Sequence, residues 1–263
     1  MTERPILFSA PMVRAILAGR KTQTRRVVQL PRWVQHKQPD LGKAFADRGG
    51  AGNPFARPGE AYLHVPCAED DSVQRVYSPF GAPGDRLWVR EAWTAELEWP
   101  VDPGEDPVRW WHQVPAAFRG PKNVMHTFYR ADGSAWDCAA DGTKMETTWV
   151  PTVDDWEEVR WNASIHMPRW ASRLTLEIID VRVERLQDIS EDDAVAEGVE
   201  RLELTARSHY HLLWNDINAK RGAGWALNPF VWVLEFRGVD TWGEQVNAQL
   251  AHFRSVLQPG AGA

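Results

Sequence analysis

Cysteine is almost missing from this chain of 263 residues: only Cys67 and Cys138 are present. No disulfide framework follows from so few, and a reducing compartment fits the composition best. Long apolar runs are also missing. None nears the ~18 residues that a membrane-spanning helix requires. The opening stretch MTERPILFSAP is too short and wrongly charged for a secretory signal, so a cytosolic location is expected. Bulk positive charge is lacking too, with 30 Lys and Arg against 36 Asp and Glu and a formal charge of −6. General adhesion to nucleic acid or anionic membrane is therefore not expected. Tyrosine is scarce, at four residues, whereas the 15 Trp outnumber Tyr and the nine Phe together. Most of these indoles are expected in core and loop packing, and some could stack on nucleobases.

Charge is unevenly distributed. Residues 1–50 hold 10 Lys and Arg and 3 Asp and Glu, a net +7, which leaves −13 on the other 213 residues. A local basic surface on an acidic body suits a polyanion site; a solvated charged face is the alternative. The basic residues gather in LAGRKTQTRR, Leu17–Arg26, where two threonines interleave with four cations.

Local patterns outline the elements. PILF (Pro5–Phe8) reads as a short buried strand. Ser9 is placed as an N-cap, with Pro11 in the first turn of a helix whose apolar face is Met12, Val13, Ile16 and Leu17. Gly19 is expected to end it, leaving Lys21 and Thr24 in a turn that leads to the strand RRVV. GDRLWVREAW (Gly84–Trp93) opens on a turn and continues as a strand. Ser172–Leu186 alternates with a phase slip after Ile178, which predicts a bulge or bend. Ser190 should cap a short acidic helix that stops at Gly198. A helix over 203–218 would bury Tyr210, Leu213, Trp214 and Ile217, and Phe230–Phe236 reads as a further strand. Residues 37–84 and 94–161 read as two long loop-rich insertions with little regular structure. The class expected is α+β with a curved or closed sheet: one elaborated domain over 1–239, then an amphipathic helix and tail over 240–263.

Several of these strings, taken together and in order, resemble the ASCH domain family. They are ILAGRKTQTRR, PGDRLWVREAW, LTLEIIDVRVERLQDISEDDAVAEGV and NPFVWVLEF. The string SIHMPRWASR, Ser164–Arg173, is similar to phage and prophage members. The resemblance implies a PUA-like fold, a small β-barrel flanked by helices. Some members are amidohydrolases that deacetylate N4-acetylcytidine, and others bind RNA. The catalytic trio that the resemblance implies falls on Lys21, Thr24 and Glu197. Arg20, Arg25, Arg26, Arg90 and Glu91 are the expected substrate-binding residues. The expected partner is a modified nucleoside or single-stranded nucleic acid.

The chemistry can be read from the residues themselves. A threonine hydroxyl needs a base within hydrogen-bond reach. Lys21 can serve if burial or the neighbouring Arg20, Arg25 and Arg26 depress its pKa. Glu197 would lie at the negative end of its helix, which favours a protonated acid able to donate to a leaving amine. Each residue also has a plainer role: capping a helix end, forming a turn, or standing in solvent. Glu91 is the reserve acid, or a partner for Arg90. His64 and Cys67 are spaced H-x-x-C, and His126, Cys138 and His166 lie near the second insertion, but no second close pair completes a zinc pattern. No metal or cofactor is assigned. Trp110 and Trp111 form either a base-stacking lid or a hydrophobic clamp. A non-catalytic module binding through the same cleft is the alternative function; a phage accessory factor is a third.

Overall fold

The computed structural model describes residues 1–37, 39–48, 59–70, 72–97, 124–132, 135–138, 144–146, 161–199 and 205–241. The C-terminal helix and the Trp110–Trp111 pair expected above lie outside them. In chain order the first elements are β1 (Glu3–Leu7), α1 (Ala10–Leu17), β2 (Gln23–Val27), α2 (Arg32–Gln35), β3 (Phe45–Arg48), β4 (Ala61–Pro66), β5 (Val73–Tyr77) and β6 (Arg86–Arg90). Then come β7 (Trp93–Leu97), β8 (Val124–Tyr129), β9 (Ala135–Cys138), β10 (Lys144–Glu146), β11 (Leu174–Arg185), α3 (Glu191–Ala196), α4 (Ala206–Asn218) and β12 (Phe230–Thr241). The protein is α+β. Its largest sheet has the order β1-β6-β11-β12-β2.

Two findings correct the reading of the insertions. Residues 37–84 are not a loop, because β3, β4 and β5 form an antiparallel sheet. The described part of 94–161 carries most of a second antiparallel sheet, β10-β9-β8-β7. Gly, Pro and Asp between the strands dominated any averaged window. The short alternations inside AYLHVP and VMHTFY are what the backbone follows.

The chain divides into two compact units that interleave in sequence. The first holds residues 1–4, 15–87 and 176–239; the second holds 5–14, 88–175 and 240–263. In the first unit Leu186, Ile189, Ala194, Ala206, Tyr210, Trp214, Val231 and Val233 form one buried cluster. Tyr210 and Trp214 lie one turn apart on α4, as the helical period requires, but Ile217 is exposed and Leu213 only half-buried. In the second unit Val89, Phe128, Tyr129, Met167 and Leu174 are buried.

Local signals hold where they were strongest. Gly19 adopts φ +69 after α1, and the N–H groups of Gly19 and Arg20 donate to the carbonyls of Ile16 and Ala15, the paired bonds of a left-handed helix stop. Ser190 caps α3 in a reciprocal box with Asp193, and three acids occupy the first turn. Along β11 the buried phase runs through Leu174, Leu176 and Ile178, then shifts to Val181 and Val183, leaving Ile179 exposed.

Candidate functional site

The first unit closes on a buried cluster of charges. The turn after Gly19 carries Lys21 to an antiparallel bridge with Glu197, the residue that caps α3. The Lys21 Nζ donates to Glu197 Oε2 at 2.8 Å, to the Glu197 carbonyl at 2.7 Å and to the Gln23 carbonyl at 2.8 Å. These three acceptors match the three N–H donors of an ammonium. Both side chains are almost sealed, at 2% and 4% exposure. Gly198 makes the approach possible: its φ is +86, and a Cβ there would meet the Cβ atoms of Ala15 and Lys21 at 3.0 Å.

The other oxygen of Glu197 faces Arg25 Nη1 at 3.3 Å. Arg25 also reaches Glu184 and Asp193, each at 3.2 Å, and donates to the Gln23 side chain. Gln23 in turn donates to Asp193 at 3.0 Å and Glu235 at 3.3 Å. Arg182 binds Glu184, Asp193 and Glu235. Strand geometry explains the convergence. Gln23 and Arg25 share one face of β2, opposite Glu235 and Val233 of β12 in direct register.

Burial is the main cause that holds the Lys21 pKa below its ordinary value of 10.5. Glu197 opposes the shift, and Arg26 and Arg25 add to it. The like-charge contribution expected from the sequence is therefore present but secondary. Tyr210 of α4 also approaches Glu197, and burial above all pushes its hydroxyl well above the ordinary tyrosine value. Burial likewise lowers Arg26, against Glu197 and Tyr210.

The other expected residues fall as follows. Thr24 is buried but alternates with Gln23 and Arg25, so its side chain belongs to the opposite face of β2, across from Leu234. Its hydroxyl is not one of the three acceptors just given for Lys21. Arg20 is exposed and Arg26 half-buried. Arg25, expected at a ligand, is instead enclosed by three carboxylates. A groove of about 340 Å³ borders the cluster and is lined by Thr22, Gln23, Asp192, Asp193, Glu235 and Phe236, among others. Asp192, Asp193 and Glu235 give this groove an acidic lining.

Arg90 and Glu91 do not pair. Arg90 donates to the Ile165 carbonyl and lies over the Trp88 ring. Glu91 takes a two-pronged contact from Arg173, at 2.9 Å on each oxygen, and Arg173 also donates to Asp132 and lies over the Tyr129 ring. His64 hydrogen-bonds Asp47 at 3.3 Å, Cys67 is buried, and His166 is exposed. Among the described residues no group of three or more His, Cys, Asp or Glu could hold a metal ion. No helix there is long and apolar enough to cross a membrane.

Gln23, Arg182, Glu184, Asp193 and Glu235 were not anticipated at the site. A signal existed: Arg182 and Glu184 stand two apart in β11, on the face opposite Val181 and Val183, and buried neighbours there require charge partners. No family model, curated protein or solved structure matches the chain.

Proposed function

We propose that this protein is an amidohydrolase that removes an acyl group from a modified nucleoside or nucleobase of the N4-acetylcytidine type. The reading takes the chain as an ASCH-type domain whose five-stranded sheet curves into a PUA-like barrel. One observation carries it: Lys21 and Glu197, 176 residues apart, meet at 2.8 Å in a nearly sealed site. Burial holds the Lys21 pKa low, so the neutral amine becomes accessible, and the proton it gives up within the pair is the one the mechanism returns to the leaving nitrogen.

In this mechanism the Lys21 amine takes the proton of the Thr24 hydroxyl as its oxygen attacks the acyl carbon. The C–N bond breaks, and the Glu197 carboxyl donates its proton to the departing nitrogen. Water then cleaves the acyl-threonine ester, releasing the acid and restoring the hydroxyl. Attack requires the Thr24 oxygen to reach the Lys21 side of β2. Turnover by Thr24→Ala decides this point: loss assigns the hydroxyl as nucleophile, and retention assigns water activated by the pair. The acid-lined groove disfavours phosphate, so the substrate class is a free nucleoside or base.

A second reading rests on the saturation of Lys21 by three acceptors. The pair is then a latch between the β2 turn and the end of α3, and the domain binds its ligand without chemistry. The experiment that separates the two is incubation with a panel of N-acylated cytosines and cytidines, with product detection by chromatography. Release of free base or nucleoside supports the hydrolase. Ligand binding without release supports the latch.

A further inference from the structure

We infer that the sheet β3-β4-β5 carries a separate docking surface for single-stranded nucleic acid, independent of the reading of the Lys21 site. The register sets Phe45, His64 and Arg75 side by side across the three strands. The next row on the same face is Asp47, Tyr62 and Tyr77. The opposite face is apolar and buried through Leu63, Val65 and Val76. Tyr62 in the second row is buried and Tyr77 half-buried, so the open part of this face lies along the row of Phe45, His64 and Arg75.

The geometry suits bases. The Phe45 and His64 rings are near-parallel, 21° apart with centroids at 4.5 Å, so Phe45 already forms one member of a stack. Phe45 is 52% exposed, and Trp33 on α2 is 50% exposed. These residues line a groove of about 550 Å³ with Val73, Gln74 and Arg75, within the range of small-ligand clefts. An open ring face offers stacking to any base without reading its sequence.

Charge selects a strand over a neutral aromatic ligand or a peptide. Arg75 is exposed on the outer row and has no carboxylate partner among the described residues. Arg32 stands beside Trp33, also exposed. Asp47 on this face accepts from the Tyr62 hydroxyl at 3.1 Å and contacts His64 Nε2 at 3.3 Å. Stacking rings with adjacent guanidinium groups match a base and its phosphate together.

Fluorescence anisotropy of a labelled oligouridine about ten nucleotides long, titrated at low salt, tests this, with an abasic strand of equal length and a duplex as comparators. The account expects saturable binding to the oligouridine and weaker binding to both comparators. Trp33→Ala and Phe45→Ala should each weaken it roughly ten- to a hundredfold. Arg75→Ala, at an exposed position whose contact in the fold is the Tyr62 ring 5.7 Å away, should weaken it and reduce the salt slope by about one. Lys21→Ala should leave it unchanged, which separates this surface from the hydrolase reading. Equal affinity for the abasic strand overturns the proposal. So do unaltered binding by all three variants, absence of binding by the parent, and binding of a proline-rich peptide in place of the strand.

Discussion

Both units of the molecule bury ion pairs among their described residues, and the closest sealed pair of each has a different cation. In the first unit Lys21 meets Glu197 at 2.8 Å; in the second Arg173 meets Glu91 at 2.9 Å. All four side chains are at most 4% exposed. Burial pulls Lys21 down, and Glu197 does not restore it. Burial also opposes the charge of Arg173, but Glu91 and Asp132 outweigh it and raise the pKa. A guanidinium held by two carboxylates and stacked on a ring stays charged at any working pH. An ammonium in a dry pocket can release its proton. Equal burial thus yields a fixed clamp in the second unit and a pair with a titratable lysine in the first.

The largest effect should come from the titratable pair. Lys21→Ala and Glu197→Gln should each lower turnover of an N-acylated cytidine by roughly 10²–10⁴. The double variant should be little worse than either single one, because the groups act as a unit. The clamp should behave oppositely: Arg173→Ala strands Glu91 and should cost about 3–5 kcal/mol of stability in urea unfolding. Turnover per folded molecule should stay at the parental level. Arg173→Lys should recover only part of the loss, since an ammonium cannot grip both oxygens of Glu91 as a guanidinium fork does.

Smaller effects sharpen the contrast. Gly198→Ala forces a side chain into left-handed backbone and against Ala15 and Lys21. It should cost roughly 1–3 kcal/mol in thermal or urea unfolding, and turnover should fall as Lys21 shifts. The smallest effect concerns Asp193. Burial pushes its carboxyl up, but the Gln23 hydrogen bond, Arg25 and Ser190 outweigh it and hold the pKa below the ordinary aspartate value. Its stabilisation is complete above that ordinary value and is lost as pH falls through the depressed one. Asp193→Asn should flatten the acid limb of a stability–pH curve.

The short acidic helix was legible because Ser190, the three acids and Gly198 all point to one structure. The stop at Gly19 was legible for the same reason. The sheets of the insertions were hidden because strands of three to six residues sit among breakers, and non-local pairing alone stabilises them. The union of Lys21 with Glu197 came from resemblance, not spacing, since no local rule links residues 176 apart. Arg173 lay in the noticed string SIHMPRWASR, but its partner Glu91 is 82 residues away. The surroundings of Arg25 were not legible, because a run of cations shows its own charge and not the acids that other elements bring to it.

The most direct measurement is the pH–rate profile of N4-acetylcytidine deacetylation by the parent and by Lys21→Ala. The account predicts release of cytidine and acetate, with a falling limb centred below pH 10.5, where the pair loses its one shared proton, as the lowered Lys21 requires. Lys21→Ala should lose that limb while its circular dichroism matches the parent. No deacetylation by the folded parent at any pH, or an unchanged profile in Lys21→Ala, would contradict it.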